Sequence, residues 1–376
     1  MHITIDRSEE ERLRKEIAGR TDTEALRIQR YLSMADLSRT PGSPLAEIVQ
    51  RVKDVPVLKD FDVIEIPEIV PSDISFDMFD FAADHPARSS SDTYYVDETN
   101  ILRTHDTVFW YYYLNQPEIK ERIAQGESLG ALCYGKVYRK DEIDRRHMNI
   151  FHQMGGWYLI PDSKGTLVLD DLKNVLSEIV KTVFGENVEY RFNVDTFPYT
   201  DPSLEVEVMV NGEWVEILGG GLPKKSVLKN FGLEGYNGWA YGFGLERLAI
   251  ISMKLPDIRL LWSTDERVKK QLELGRTFVE VSKYPPIIRD ISLLVKKGLV
   301  MNDYFDLVRD TAGDLVEQVE LLDQYENAEK FGEDMVSFAF RVTYRSIEKT
   351  LTNAEVDTLH KKLEAATVET YSATIR

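Results

Sequence analysis

Two runs of alternating residues around Asn211-Gly212 constrain the fold of this chain more than any other segment. LEVEVMV ends at Val210 and EWVEIL begins at Glu213, and an Asn-Gly pair between such runs is the strongest short signal for a two-residue β-hairpin. This hairpin places Glu207 directly opposite Glu216. Like charges in facing positions destabilise a strand pair unless a group shares them, and a divalent cation is the usual one. The sequence therefore predicts an Mg²⁺ site, and two solvated carboxylates on an exposed face are the alternative.

Other short β runs surround this hairpin and predict a largely antiparallel sheet. TYYV, ALCYGKVY and WYLI are separated by turns, with helical patterns near residues 169–182 and 245–254. Hairpin-length connections favour antiparallel over parallel pairing. The single cysteine, Cys133, lies in one of these apolar runs, so we expect a core residue and no disulfide or cysteine-based metal site within one chain.

The domain organisation follows from changes in these patterns along the 376 residues. Leucines and isoleucines at helical spacing in residues 8–35 predict a helical N-terminal appendage. The last part of the chain has the order β-α-β-β-α-β, which is the ferredoxin-like arrangement. The predicted fold class is α+β. The predicted boundaries are 1–43 for the appendage, 44–265 for the main body, 266–282 for a polar linker and 283–376 for the ferredoxin-like domain.

Charge and hydropathy limit the partners and the location of the chain. A net charge of -18 opposes non-specific binding to nucleic acid, because affinity for phosphates depends on clustered Lys and Arg. Any RNA contact must therefore use local basic patches. No apolar run approaches the roughly 20 residues that cross a bilayer, and the charged start MHITIDRSEEERLRKEI has no secretory signal. We expect a soluble, cytoplasmic chain without membrane contacts, or one in an organelle matrix if a presequence has been removed.

Two further segments contain candidate ligand-binding residues. GKVYRKDEIDRRHMNIFHQMGG predicts a strand, a charged loop and a returning strand in which Phe151, Gln153 and Gly155 share one face. An aromatic ring, an amide and an arginine could then face one pocket, although such a charged loop is more often a solvated hairpin tip. In YGFGLERLAII two glycines precede a helix. Such a pair permits close approach of a ligand, but alone it is a weak indication of nucleotide binding.

Taken in order, these segments resemble motifs 2 and 3 of class II aminoacyl-tRNA synthetases. The resemblance extends to the phenylalanyl-tRNA synthetases and covers about residues 44–376. It is carried by HPARSSSDTYYV, ILRTHDT, VYRKDEIDRRHMNIFHQ, FPYTDPSLEVEV, EWVEILGGG and GWAYGFGLERLAI. SKYPPIIRDISLLV from Ser282 and the segment around YRSIEKTLT resemble the anticodon-binding module of that family. A catalytic chain that ends in this module is the single-chain, organellar arrangement.

The resemblance implies a ligase that activates phenylalanine with ATP and Mg²⁺ and transfers it to tRNA(Phe). In-line attack of a carboxylate on phosphorus needs positioning and charge neutralisation rather than a base. The implied catalytic residues are Arg139, Gln153 and Arg247. The implied ATP-binding residues are Arg139, His147, Phe151, Glu216 and Arg247, and the metal ligands are Glu207 and Glu216. The amino acid would contact His105, Thr107, Gln153, Phe197, Tyr199 and Ala240. For His147, a loop histidine without a role in binding is the alternative.

Two residues depart from the family pattern. Gly155 stands where the family generally has a glutamate, so one polar contact to the substrate amine is either missing or supplied elsewhere. Tyr199 replaces a phenylalanine, and a buried hydroxyl without a partner costs about 1–3 kcal/mol. Apolar pockets reject an added hydroxyl only about 10²-fold, so tyrosine is the dangerous competitor. The chain is too short for the separate editing domain of two-subunit relatives, and we expect no clearance of mischarged tRNA.

In the ferredoxin-like domain, alternation from Val336 to Tyr344 puts the apolar residues on the helix side of the sheet and leaves Arg341 and Arg345 on the open face. With Arg289, these arginines are the candidate tRNA contacts. A segment ending near Pro67 resembles motif 1, a dimer element in most class II enzymes, whereas single-chain relatives are monomeric; monomer and homodimer both stay open. Two rival functions also stay open: a paralogue that charges another amino acid or acceptor, and a non-catalytic RNA-binding protein.

Overall fold

The computed structural model describes residues 1–280 and 284–376. They form two compact units. The first contains Met1–Arg139, Ile150–Lys254 and Glu273–Thr277, and the second contains Lys140–Asn149, Leu255–Leu272 and Phe278–Arg376. The predicted boundary between linker and ferredoxin-like domain, at 282/283, lies outside the described residues.

The first unit has ten strands and nine α-helices among its described residues. In chain order they are β1 (His2–Thr4), α1 (Ser8–Ala18), α2 (Thr23–Ser33), α3 (Pro44–Lys53), β2 (Asp62–Glu65), β3 (Ile69–Pro71), α4 (Ser72–Phe76), β4 (Asn100–Leu102), α5 (Phe109–Leu114), α6 (Pro117–Ala124), β5 (Leu129–Tyr138), β6 (Ile150–Pro161), α7 (Leu169–Phe184), β7 (Tyr190–Phe197), β8 (Thr200–Val210), β9 (Glu213–Pro223), α8 (Lys225–Asn230), β10 (Tyr236–Gly244) and α9 (Leu245–Met253).

Eight of these strands form one sheet in the order β1-β2-β5-β6-β10-β9-β8-β7. The β1-β2 and β2-β5 pairs are parallel and the other five pairs are antiparallel. Asn211 and Gly212 both have positive φ, 52° and 90°, which is the backbone that a tight two-residue hairpin needs. The predicted α+β class is confirmed, and the predicted antiparallel sheet carries two parallel pairs at one edge.

The N-terminal residues differ from the predicted helical appendage. β1 joins the large sheet, and Ile3 belongs to its core. The single helix predicted over 8–35 is two helices, because the chain turns after Gly19 and the Asp22 carboxylate caps α2 by accepting from the Ala25 amide at 3.0 Å. The two helices pack their apolar faces with residues of β5 and β6 in one cluster. Residues 1–43 are therefore an integral part of the first unit.

The two faces of the large sheet are covered differently. On one face, Leu172 of α7 lies 3.2 Å from the position a Cβ would take on Gly220, and α3 and α9 pack beside it. On the other face, α5 contributes Phe109, Trp110 and Tyr113 around the buried Trp157 of β6. Cys133 on β5 is fully buried, as predicted.

The second unit contains the ferredoxin-like domain. Its elements are α10 (Glu266–Lys269), β11 (Ile287–Lys296), α11 (Met301–Ala312), β12 (Val316–Tyr325), α12 (Ala328–Phe331), β13 (Met335–Tyr344), α13 (Asn353–Tyr371) and β14 (Thr374–Ile375). The antiparallel sheet has the order β12-β13-β11-β14, as the β-α-β-β-α-β pattern predicts. Alternate β13 residues are buried in its core, as predicted. None of the described helices is long and apolar enough to cross a membrane.

The charged loop after β5 belongs to this second unit. Ile143 is 6% exposed within the core of the ferredoxin-like domain, and its carbonyl oxygen accepts a hydrogen bond from the Val319 amide at 3.2 Å. Asn149 donates to the Asp306 carboxylate at 3.0 Å. These contacts contradict the solvated hairpin tip considered for the loop.

Candidate active site

Three glycines form a flat floor across the middle of the large sheet. Gly155 of β6 pairs with Gly242 of β10, and Gly242 pairs with Gly219 of β9. Paired residues of an antiparallel sheet face the same side, so these three positions share one face. A Cβ on Gly155 would lie 2.4 Å from Oδ2 of Asp106, and one on Gly219 would lie 2.7 Å from Cζ of Phe197. Glycine is needed at positions 155 and 219 because other groups occupy the space above these strands.

The loop before α5 lies over this floor. The amide of Asp106 donates to Oε1 of Gln153 at 3.0 Å, which fastens the loop to β6. His105 lies 3.0 Å from the carbonyl oxygen of Ser75 through Nε2 and stacks on Phe81. Burial first, and Arg139 second, lower the pKa of His105 to about 3, so its ring is neutral. Thr107 is the second residue of a short 3-10 turn, Asp106–Val108.

An aromatic pocket borders the same floor. The rings of Phe197 and Tyr199 stack at 6.1 Å, as their spacing predicts, and Tyr199 also contacts Phe79 and Phe81. Ala240 precedes Gly242 by two residues on β10 and therefore shares its face. Burial raises the pKa of Tyr199 to about 12, and Asp106 contributes to the rise. Of the predicted phenylalanine contacts, Phe197, Tyr199 and Ala240 thus lie on or beside this face of the sheet.

The opposite end of the floor carries the residues predicted to bind ATP. The guanidinium carbon of Arg139 is 5.3 Å from the centre of the Phe151 ring, and its Nε donates to the carbonyl oxygen of Thr104 at 2.9 Å. This pair is suited to hold a planar base beside a phosphate. Phe151 and Gln153 alternate with His152 along β6, as predicted.

A buried pair behind this face positions Arg247. The Glu246 carboxylate accepts from the His152 amide at 2.8 Å and lies 2.6 Å from Nδ1 of the same histidine. Nε2 of His152 accepts from the Leu37 amide at 2.9 Å, so the proton is on Nδ1. Arg247 follows Glu246, and its Nη1 donates to the carbonyl oxygen of Glu216 at 3.1 Å. Glu246 and His152 were not among the predicted site residues, because a buried carboxylate–histidine contact leaves no local pattern in sequence.

The two glutamates predicted to bind metal lie opposite each other, as the hairpin register requires. Each also has a protein partner. Oε2 of Glu207 accepts from Nε of Arg191 and from Asn193, both at 2.6 Å, and Oε2 of Glu216 is 3.4 Å from Nη1 of Arg247. The facing glutamates therefore do not by themselves require a cation. The donor chemistry still fits Mg²⁺, because Arg191 and Asn193 both bind the same oxygen of Glu207, and Glu216 is exposed.

His147 belongs to the second unit rather than the first. Its Nδ1 lies 2.9 Å from Oδ2 of Asp144, and this contact holds the pKa of the imidazole above its usual value. Glu142 completes an acidic group around it. The predicted contact between His147 and the outer ATP phosphates stays a prediction.

The three arginines predicted to contact tRNA have separate surroundings. Arg341 forms a two-bond ion pair with Asp290, its neighbour across the strand pair, at 2.9 and 3.0 Å. Arg289 instead contacts Asp357 on α13 at 2.7 Å. Arg345 lies 2.5 Å from the buried carboxylate of Glu317. They do not form one patch, and each has a carboxylate partner in the free chain.

Asp106 is the site residue that our sequence analysis missed. It is 4% exposed, and Oδ2 has no hydrogen-bond partner within the described residues. Burial raises the pKa of Asp106 to about 7, although Arg103 and Arg139 lower it. An aspartate inside the ILRTHDT segment was the only signal in the sequence, and its closeness to Gly155 is visible only in the fold.

Comparison with known proteins agrees with this geometry. Residues 29–272 match the tRNA synthetases class II core domain (F), and residues 282–376 match the ferredoxin-fold anticodon binding domain. This fold and site define a class II aminoacyl-tRNA synthetase. The chloroplastic/mitochondrial phenylalanine–tRNA ligase of Arabidopsis thaliana is 40% identical over 311 residues, which cover 80% of this chain and 69% of the relative. The mitochondrial phenylalanine–tRNA ligase of Mus musculus is 34% identical over 375 residues, 87% of this chain and 80% of the relative. The chain belongs to the phenylalanine–tRNA ligase family.

Proposed function

We propose that this chain joins phenylalanine to ATP as phenylalanyl-adenylate and then transfers the phenylalanyl group to tRNA(Phe). The observation that carries the proposal is the glycine floor, with Arg139 against Phe151 at one end and the stacked rings of Phe197 and Tyr199 at the other. A nucleotide and an aromatic amino acid can lie on such a floor with their reacting ends together.

The chain's own groups position and neutralise the reactants. Arg139 holds the α-phosphate and the substrate carboxylate, contacts that a guanidinium makes better than any other side chain. Phe151 stacks on adenine, Arg247 binds the other end of ATP, and His147 approaches the outer phosphates. Gln153 contacts the amino acid. In-line attack of the carboxylate oxygen on the α-phosphorus then needs no base from the protein.

The carboxylates of Glu207 and Glu216 are the proposed magnesium ligands. Mg²⁺ prefers carboxylate and phosphate oxygens, and the ion would neutralise the charge of the ATP phosphates. Glu216 contacts Arg247 at a long 3.4 Å, so it can exchange this partner for another. Measuring Mg²⁺-dependent ATP binding in Glu207→Gln and Glu216→Gln variants tests the assignment, and unchanged dependence in both would remove it.

The ferredoxin-like domain is the proposed tRNA-binding module, with Arg289, Arg341 and Arg345 as its contacts. Each arginine would have to exchange its carboxylate partner for a phosphate. The names of the relatives place them in mitochondria and chloroplasts, which favours an organelle matrix over the cytoplasm for this chain too. We also propose that mischarged Tyr-tRNA is not hydrolysed, and rapid deacylation of that product would contradict this.

Amino-acid-dependent ATP–pyrophosphate exchange with each of the twenty amino acids tests the main proposal. Phenylalanine should give the highest rate. Arg139→Ala should lower that rate by about 100-fold or more, since it removes a group that binds the developing charge. Arg12 is also exposed and pairs with Glu9 on α1, so it serves as the control, and Arg12→Ala should leave the rate unchanged. A higher rate with another amino acid would indicate a paralogue, and no exchange with any would indicate a non-catalytic protein.

A further inference from the structure

The Asp106 carboxylate, on the loop before α5, occupies the space that a side chain at position 155 of β6 would need. The oxygen Oδ2 of Asp106 lies 2.4 Å from where a Cβ on Gly155 would stand, and Oδ1 lies 3.8 Å from the corresponding position on Gly242. A side chain at 155 and the carboxylate of Asp106 therefore exclude each other. In this chain the acidic group above the sheet comes from the loop before α5, whereas in the family pattern it comes from a glutamate at position 155 on the strand.

We propose that Asp106 binds the α-ammonium group of the substrate amino acid, taking the part of the acidic side chain that Gly155 lacks. This inference rests on the proposed function, because it assumes that an amino acid occupies the floor. It names a binding residue that lies outside the predicted set of amino-acid contacts.

The surroundings of Asp106 support a ligand partner rather than a structural one. Oδ2 is buried and has no hydrogen-bond partner in the described part of the chain. The buried Arg103 gives its Nε to the carbonyl oxygen of Lys136 at 2.6 Å and its Nη1 to that of Ile66 at 3.1 Å. A buried carboxylate oxygen without a partner is costly, and folded chains keep such atoms mainly where a ligand completes them.

The position also suits an ammonium group in particular. The Asp106 amide is fastened to Oε1 of Gln153, the predicted amino-acid contact, and the charge of Asp106 reaches Tyr199 in the aromatic pocket. In phenylalanine the ammonium group and the ring-bearing carbon are attached to the same Cα. A ring held against Phe197 and Tyr199 can therefore bring its ammonium group to Asp106.

Two analogues of phenylalanine distinguish a contact with the ammonium group from contacts with the rest of the ligand. L-phenylalaninol has the ammonium but no carboxylate, and 3-phenylpropanoate has the carboxylate but no ammonium. Calorimetric titration should show that Asp106→Asn weakens binding of L-phenylalaninol by about 10- to 140-fold, the range for a charge-assisted hydrogen bond. Binding of 3-phenylpropanoate should be unchanged or tighter, because no ammonium contact is lost. The exposed Asp60→Asn variant removes the same charge elsewhere and should alter neither.

Equal weakening of both analogues by Asp106→Asn would overturn the proposal, since it would mean that Asp106 only shapes the pocket. Unchanged binding of L-phenylalaninol would overturn it as well. If Asp106→Asn does not fold, the pH dependence of L-phenylalaninol binding by the unsubstituted chain tests the proposal instead. Binding should strengthen between pH 6 and pH 7.5, and an unchanged affinity would overturn the proposal. The proposed function is tested separately by exchange in that chain. Exchange with another amino acid would refute phenylalanine as substrate, and the corresponding amine and deamino analogues would then test Asp106.

Discussion

The affinity for phenylalanine should rise with pH across neutrality, because an ammonium group is bound by the ionised form of Asp106. Burial raises the pKa of this carboxyl group to about 7 in the free chain. The ionised fraction then grows from about one eleventh at pH 6 to about three quarters at pH 7.5. Only this fraction is competent to bind, and the apparent Kd is the intrinsic Kd divided by it. The Kd of phenylalanine should therefore fall about eightfold between pH 6 and pH 7.5.

The charged and titratable neighbours of Asp106 named below keep their charge state between pH 6 and pH 7.5. Arg103 and Arg139 lower its pKa and stay charged at every pH in the window. His105 has a pKa of about 3 and is neutral throughout. The remaining neighbours have pKa values raised well above this window; they are Cys133, Tyr199 and Tyr241.

Calorimetric titration without ATP measures this dependence, because it removes the phosphate groups from the experiment. In Asp106→Asn the Kd should be high and independent of pH. Binding of 3-phenylpropanoate should not strengthen with pH, since it has no ammonium for the carboxylate to bind. A flat Kd for phenylalanine in the unsubstituted chain, or an equal slope in Asp106→Asn, would refute the reasoning.

Four other substitutions test the site and the second unit. Asp106→Ser and Gly155→Glu should each raise the KM for phenylalanine in pyrophosphate exchange by about tenfold or more. The double variant should have a lower KM than the two separate effects combined would give. Effects on KM that simply combine would contradict the proposal that one carboxylate can replace the other. Glu216→Gln should weaken Mg²⁺-dependent ATP binding by about tenfold or more in a filter-binding titration, and full retention would exclude Glu216 as a ligand. Arg341→Glu should raise the KM for tRNA by roughly five- to tenfold at low salt while leaving pyrophosphate exchange intact. Arg12→Glu is the control for that last variant, and equal effects of the two would exclude a specific contact.

Local patterns predicted the strands and turns well. The hairpin at Asn211-Gly212 and the pairing of Glu207 with Glu216 follow from positive φ preferences and the two-residue period of a strand, both of which are local properties. The ferredoxin-like strands Val316–Tyr325 and Met335–Tyr344 are the two consecutive strands of the predicted β-α-β-β-α-β order, and the second contains the predicted alternation from Val336 to Tyr344. The family resemblance is confirmed by the relatives.

Properties that depend on distant segments could not be predicted in this way. β1 joins the sheet by pairing with β2, about sixty residues later, so its three residues gave no usable period. The carboxylate partners of Arg289 and Arg341 come from α13 and from the facing strand, and their register is set by the whole sheet. Asp106 and Gly155 are separated by 49 residues and meet because Gln153 fastens the loop to β6.

That fastening makes Asp106 and Gln153 act together. An amide oxygen has two lone pairs, and Oε1 of Gln153 gives one to the Asp106 amide at 3.0 Å. The other lone pair stays available to a ligand, and Gln153 shares one face of β6 with Gly155, above which the Asp106 carboxylate lies, so the proposal expects one bound ammonium group to donate to both. The loop hydrogen bond sets the orientation of the Gln153 amide and the position of the carboxylate at once. A carboxylate carried by Gly155's own strand would be placed by that strand alone, whereas this chain makes the ammonium site depend on how the loop docks against β6.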